Sequence, residues 1–71
     1  MSPWDAEYVV NNARRPWPEK IGDGKRRVWG RANDGTMLQV IYVLSPDDVV
    51  FVIHAMPLTE VQKRQYRRRF R

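Results

Sequence analysis

The feature that most limits how this chain can fold is a long internal stretch without positive charge. Residues 32–62 contain no Lys or Arg, whereas all 13 basic residues lie on either side of it. Within this stretch β-branched and aromatic residues are frequent, which favours strands. The middle of the chain is therefore predicted to form an apolar core, with the positive charge at its flanks.

Three strands are predicted in the middle of the chain, joined by two short turns. The strands cover residues 26–32, 36–44 and 49–56, and the turns cover residues 33–35 and 45–48. The first turn reads Asn-Asp-Gly, and an Asp-Gly pair between two β-prone runs is a strong hairpin signal. Short connections between successive strands predict an antiparallel meander.

A helix is predicted on each side of the strands. Ser2 and Pro3 are typical of a helix start, and this helix is expected to end near residues 11–12. After the last strand, Thr59 and Gln62 fit a capping box that opens a final helix. Residues 14–25 are rich in Pro, Gly and polar side chains and are predicted to be a loop.

The expected fold class is α+β, with one domain over residues 1–71 and the element order α-β-β-β-α. A three-stranded antiparallel meander sheet would be packed by an N-terminal and a C-terminal helix. The turn lengths predict that Ala32 pairs with Thr36 and that Leu44 pairs with Val49. The face predicted to be the core then holds Val28, Gly30, Ala32, Leu38, Val40, Tyr42, Leu44, Val49, Phe51, Ile53 and Ala55.

The opposite face of the sheet is predicted to divide into an apolar end and a polar end. The apolar end, with Ile41 and Val43 beside Val50 and Val52, needs a helix, a second subunit or a partner to cover it. The cross-strand rows predicted for this face are Arg27–Ile41–Val52, Trp29–Gln39–His54 and Arg31–Met37–Met56.

The polar end of that face combines four kinds of side chain that suit a phosphate–sugar ligand. Arg31 can bind phosphate in two-pronged fashion, Trp29 can stack a base, and His54 can move a proton near neutral pH, with Gln39 beside them. Taken singly, each residue has a simpler explanation: Trp29 packs on a neighbouring element, Arg31 is solvated, and His54 is a hydrogen-bonded strand residue.

The final helix is predicted to be basic on one side and to dock through the other. The apolar stripe holds Leu58, Gln62, Tyr66 and Phe70, and the basic cluster holds Lys63, Arg64, Arg67, Arg68 and Arg71. The basic side can follow a nucleic-acid backbone, or it can be a solvated charged face. Tyr66 is either a docking anchor or a phenol aimed at a phosphate.

Several classes of protein are excluded by composition. The absence of Cys and the single His exclude a disulfide scaffold, a thiolate zinc site and a His cluster for a metal. The longest apolar runs, residues 40–44 and 49–53, are too short for a membrane span or a signal peptide, so a cytoplasmic protein without cofactor is expected. The net charge of +5 indicates a polyanionic partner. A chain this short buries only about 60% of its unfolded surface, which favours a homodimer or a partner protein.

Two stretches of the chain resemble one known family. Residues 28–42, with Gly-Arg shortly before Asp-Gly, are similar to the hairpin of BrnT-type toxins in the RelE/ParE-like superfamily. Residues 52–59, followed by Lys-Arg-Gln-Tyr at 63–66, resemble that family's last strand and final helix. The chain departs from the family pattern at Met56, where Arg is usual, and at Gln62, where Glu is usual. Family members also begin with an extra strand and helix that this chain lacks.

The resemblance implies a metal-independent endoribonuclease, the toxin of a type II toxin–antitoxin pair, whose partner is a ribbon-helix-helix antitoxin. Basic side chains would stabilise the phosphorane formed when the ribose 2′-OH attacks. Matched positions give Arg31, Arg64 and Tyr66 as catalytic candidates, and the strand rows add His54. The expected RNA contacts are Arg27, Trp29, Gln39, Lys63, Arg67 and Arg68.

Two other functions stay open on the sequence alone. The same basic surface would serve a non-catalytic module that binds RNA, DNA or an acidic protein. Alternatively, the apolar strand end and the basic helix would serve only to hold a partner subunit.

Overall fold

The computed structural model describes residues 3–69, which form an α+β fold, as predicted. The predicted helix cap Ser2 and the residues Phe70 and Arg71 lie outside this range. One antiparallel sheet has the strand order β1-β2-β3-β4. The elements are α1 (Pro3–Asn11), β1 (Glu19–Gly22), β2 (Lys25–Arg31), β3 (Met37–Leu44), β4 (Val50–Pro57) and α2 (Glu60–Arg69).

The sheet has four strands, so the prediction of three strands, with a loop over residues 14–25, is wrong. The additional strand β1 pairs with β2 through a tight turn at Asp23 and Gly24. Both turn residues have positive φ, 53° and 72°, which is the twist that a two-residue hairpin needs. The Asp-Gly signal was present in the sequence, but the run before it is short and polar.

One face of the sheet is covered by α1, and the core lies between them. Val28 and Val40 are fully buried there, and Val9 of α1 is 1% exposed. A Cβ atom at Gly30 would come within 3.2 Å of Val9 Cγ1, so the absence of a side chain permits this close approach. Ala6 of α1 is also buried, and Val10 and Ala13 pack against the core.

The opposite face carries a second buried layer, which is built from aromatic rings. Trp29 and Met37 are both under 10% exposed. Trp17, from the connection between α1 and β1, stacks on Trp29 with ring centroids 5.8 Å apart. Tyr66 of α2 packs on Trp17 at 5.3 Å. Trp17 therefore joins α2 to the sheet, although the sequence placed it in a polar loop.

The predicted register is confirmed in the β2–β3 hairpin and wrong in the β3–β4 hairpin. Trp29 pairs with Gln39 as predicted. In the second hairpin, Leu44 pairs with Val50 rather than with Val49. The connection is one residue longer than expected, because the Ser45 hydroxyl accepts the Val49 N–H at 3.1 Å and keeps that residue in the turn.

A bulge in β4 adds a second shift to this register. Tyr42 pairs with Val52, but Ile41 pairs with His54, so Ile53 is an extra residue on β4. Each of the three predicted rows therefore has the wrong β4 residue. The predicted core positions Val49, Phe51 and Ile53 are wrong as well, because half or more of each residue is exposed, Val49 in the turn and the other two on the edge strand β4.

Candidate nucleic-acid interface

Two adjoining surface cavities lie where β2 ends, the first between α1 and α2 and the second between α2 and the turn that follows β2. The first has a volume of about 420 Å³ and the second of about 390 Å³. Arg31 and Arg67 line both cavities, Arg14 lines the first, and Lys63 lines the second. We call the two cavities, with these four basic residues, the basic groove. It is the place where both basic segments of the sequence meet.

The basic side chains reach the groove from elements whose positions are fixed locally. Arg31 is the last residue of β2, next to the hairpin turn. Lys63 and Arg67 are four residues apart on α2 and therefore share one side of the helix. The predicted capping box opens this helix: the Thr59 N–H donates to Gln62 Oε1 at 2.9 Å, and the Gln62 N–H donates to Thr59 Oγ1 at 3.1 Å.

Tyr66 connects the groove to the aromatic layer beneath it. The residue is 8% exposed and packs on Trp17, and it also lines the larger cavity. Arg69 of α2 also contacts Trp17, with its guanidinium carbon 5.4 Å from the ring centroid. These contacts hold α2 at a fixed position, so the spacing between Lys63, Arg67 and Arg31 is set by the core.

The groove has an excess of positive charge. Within residues 3–69, Arg31 and Arg67 make no salt bridge, whereas Lys63 Nζ lies 3.3 Å from Glu60 Oε1. Among the described residues that line the two cavities there is no carboxylate. The guanidinium groups of Arg31 and Arg67 are exposed to solvent and can bind an anion without breaking a salt bridge within residues 3–69.

Trp29, Gln39 and Arg27 occupy structural positions outside the groove. Trp29 Nε1 donates to Gln39 Oε1 at 3.0 Å, and Trp17 covers the Trp29 ring. Arg27 forms a 2.7 Å salt bridge with Glu19 and lies 5.5 Å from the Trp29 ring centroid. A base could stack on Trp29 only if Trp17 moved away.

His54 lies on the exposed edge strand and lines neither cavity of the groove. It pairs with Ile41 instead of Gln39, and Met56 takes the position beside Gln39. His54 Nε2 is 3.1 Å from Met56 Sδ, two residues along the same strand. The predicted grouping of His54 with Trp29 is therefore wrong, because the longer turn and the bulge move it along the sheet.

The predicted residues of α2 divide between the groove and the solvent. Lys63, Tyr66 and Arg67 line the groove, whereas Arg64 and Arg68 are exposed and line neither cavity. Arg14 also lines the groove, although the sequence pattern does not identify it as a site residue. Its signal was the basic pair at residues 14–15 directly after α1, but a residue assigned to a loop has no predictable direction.

Comparison of the chain with protein-family models, with curated proteins and with solved structures finds no match. No helix in the described part of the chain is long and apolar enough to cross a membrane. Residues 3–69 also contain no group of three or more His, Cys, Asp or Glu side chains placed to hold a metal ion.

Proposed function

We propose that this protein binds RNA in the basic groove and cleaves it without a metal ion, as the toxin of a type II toxin–antitoxin pair. The observation that carries this function is the convergence of Arg31 and Arg67 in a groove without carboxylates. Arg31 is also the Arg of the Gly-Arg motif that resembles BrnT-type toxins. The cytoplasm, where RNA is abundant, is its proposed place of action.

Phosphate binding follows from the chemistry of the groove. A guanidinium presents several donors in one plane and matches two phosphate oxygens at once. Arg31 comes from the sheet and Arg67 from α2, so a phosphate between them would be held from two directions. Lys63 and Arg14 lie at the two ends of the groove and would contact the neighbouring phosphates of the strand.

The proposed cleavage is an internal transfer within the RNA. The ribose 2′-oxygen gives its proton to a solvent water and bonds to the adjacent phosphorus, and the bond from phosphorus to the 5′-oxygen breaks. The 5′-oxygen takes up a proton, which leaves a 2′,3′-cyclic phosphate and a 5′-hydroxyl. Arg31 and Arg67 would stabilise the charge of the phosphorane, and the Tyr66 phenol is the candidate donor to the leaving oxygen.

The partner that we propose is a ribbon-helix-helix antitoxin that covers the groove. This partner comes from the family resemblance, and the positive charge of the groove suits an acidic segment as well as RNA. Added antitoxin would therefore compete with RNA for Arg31 and Arg67.

Adjacent arginines on α2 provide a matched test. Labelled structured RNA is incubated with purified protein in excess EDTA, and the cleavage rate is measured for Arg67→Ala and Arg68→Ala. Both variants lose one charge from the same helix, but only Arg67 lines the groove. We expect Arg67→Ala to lose at least about tenfold in rate and Arg68→Ala less than about twofold. Equal losses would contradict the assignment of the groove.

A second candidate function is a module that binds RNA or DNA without cleaving it. The observation in its favour is that the described lining of the groove contains no carboxylate and no imidazole, so the usual general bases are missing. Binding that falls steeply with salt, without any cleavage in EDTA or in Mg²⁺, would favour this function over the nuclease.

A further inference from the structure

The edge strand β4 exposes apolar side chains on both of its faces. Phe51 is 54% exposed and Ile53 50% exposed, and Val50 and Val52 on the alternate positions are nearly 40% exposed. Within the described residues, β4 pairs with β3 alone, so the backbone groups along its outer edge have no strand partner. An uncovered strand of this kind is a template for pairing with another strand.

The β4 edge also lacks the charges that usually prevent strand addition. Residues 49–57 contain no Lys, Arg, Asp or Glu. The opposite edge of the sheet is different, because β1 is short and carries Glu19 and Lys20. The bulge at Ile53 and the terminal Pro57 are the protective features present on the described β4 edge. The β4 edge is therefore better suited than the β1 edge to pair with an added strand.

The distribution of charge indicates which partner fits β4. RNA would find no cation on this strand, and a charged peptide would find no opposite charge. A second copy of the chain brings an equally uncharged strand and keeps both sets of basic residues away from the contact. An antiparallel arrangement also brings the acidic turn of one copy, with Asp47 and Asp48, toward the end of the other copy's β4. Beyond that end, α2 has Glu60 in its first turn and its basic residues from Lys63 onward.

We propose that two copies of this protein pair through β4, antiparallel and related by a two-fold axis. The two sheets would then form one continuous sheet, and Phe51 and Ile53 would be covered by the same residues of the other copy. Such an interface is self-complementary, as a two-fold dimer requires. This assembly is independent of RNA binding, because no described residue of β4 except Pro57 lines the basic groove.

The mass in solution tests this dimer directly. Sedimentation equilibrium is measured over a range of micromolar concentrations for the unchanged chain, for Phe51→Lys and for Ile21→Lys. Both substitutions place one added charge on an exposed apolar position of an edge strand, but Ile21 lies on β1, the other edge. We expect twice the monomer mass of 8.5 kDa for the unchanged chain and for Ile21→Lys. Phe51→Lys should weaken the association at least about tenfold.

A labelling experiment tests the same interface with a substitution that adds no charge to β4. Because the chain has no Cys, Ile53→Cys carries one spin label near the middle of β4. Residues opposite each other in paired strands lie within about 10 Å, so we expect strong dipolar broadening that disappears on dilution with unlabelled protein. The same label at residue 21 should show none.

Three results would overturn the β4 dimer. They are a mass of 8.5 kDa at every concentration, equal association for Phe51→Lys and Ile21→Lys, and a dimer in which the residue 53 label shows no broadening. The last result would mean that the copies associate through another surface.

Discussion

The two hairpins that share β3 differ in how firmly the sequence specifies them. In the β2–β3 hairpin, three consecutive residues of β2, Val28 to Gly30, are buried, so side chains on both faces of the strand are covered. The register predicted for this hairpin is confirmed. In the β3–β4 hairpin, nearly every β4 residue is apolar and exposed, and the predicted register is wrong. Register is specified where a slip would move an apolar side chain out of the core. β4 lacks this constraint.

The largest difference between the hairpins is expected in stability. Leu38→Ala in β3 removes a side chain that is 1% exposed, and the cavity should cost about 2–5 kcal/mol. Phe51→Ala in β4 removes one that is 54% exposed and should cost less than about 1 kcal/mol in the monomer. Urea unfolding, followed by Trp fluorescence at low protein concentration, measures both. Similar costs would mean that β4 is covered within the monomer.

The hairpins should differ next in RNA cleavage. Arg31→Ala, at the end of β2, should lower the rate of metal-independent cleavage at least about tenfold, which is about 1.4 kcal/mol. His54→Ala, on β4, should change it less than about twofold, because His54 lines neither cavity of the groove. Single-turnover rates with circular dichroism as a folding control provide the comparison. A tenfold loss in His54→Ala would show that the RNA crosses the sheet to β4.

The two turns allow a smaller test of backbone strain. Gly35, in the turn between β2 and β3, has φ +90°, so Gly35→Ala should destabilise the β2–β3 hairpin by about 1 kcal/mol. Asp48, in the turn between β3 and β4, has φ 63°. Asp48→Gly removes the backbone strain of this positive φ at little cost. We expect Asp48→Gly to leave the midpoint of urea unfolding unchanged or slightly raised. A large loss of stability in Asp48→Gly would mean that its side chain fixes the turn.

The smallest expected effect is a loss of stability in acid that arises from the turn between β2 and β3. The Thr36 N–H donates to Asp34 Oδ1 at 2.9 Å, and the hydrogen bonds from Thr36 hold the pKa of Asp34 below its ordinary value. The stabilisation is present above the ordinary Asp pKa of about 4 and is lost as the pH falls through the lower folded-state pKa. Asp34→Asn should therefore flatten the dependence of stability on pH in this acid range. Urea titrations at several pH values, compared with Asp47→Asn in the other turn, would detect it.

The sequence predicts where several basic residues of the site lie, but it does not predict which side chains meet in the basic groove. The Gly-Arg and Asp-Gly pairs located Arg31 beside a turn, and the capping box located α2, from which Lys63 and Arg67 follow. The indole of Trp29 suits base stacking, yet its ring is buried by Trp17, a residue in an irregular segment. Arg14 was missed for the same reason. A segment without periodicity gives no direction for its side chains.

The sequence by itself determined the α+β class, the two helices, and the β2–β3 hairpin with its register. These features depend on local turn chemistry and on the alternation of side chains against a core. Only the tertiary structure decided that Trp17 joins α2 to the sheet, that Arg14, Arg31 and Arg67 share one groove, and that β4 lies at an open edge. These features depend on contacts between residues far apart in the chain. One extra residue in the turn before β4 and one at its bulge were enough to separate His54 from Trp29, because position along a strand is the sum of every residue before it.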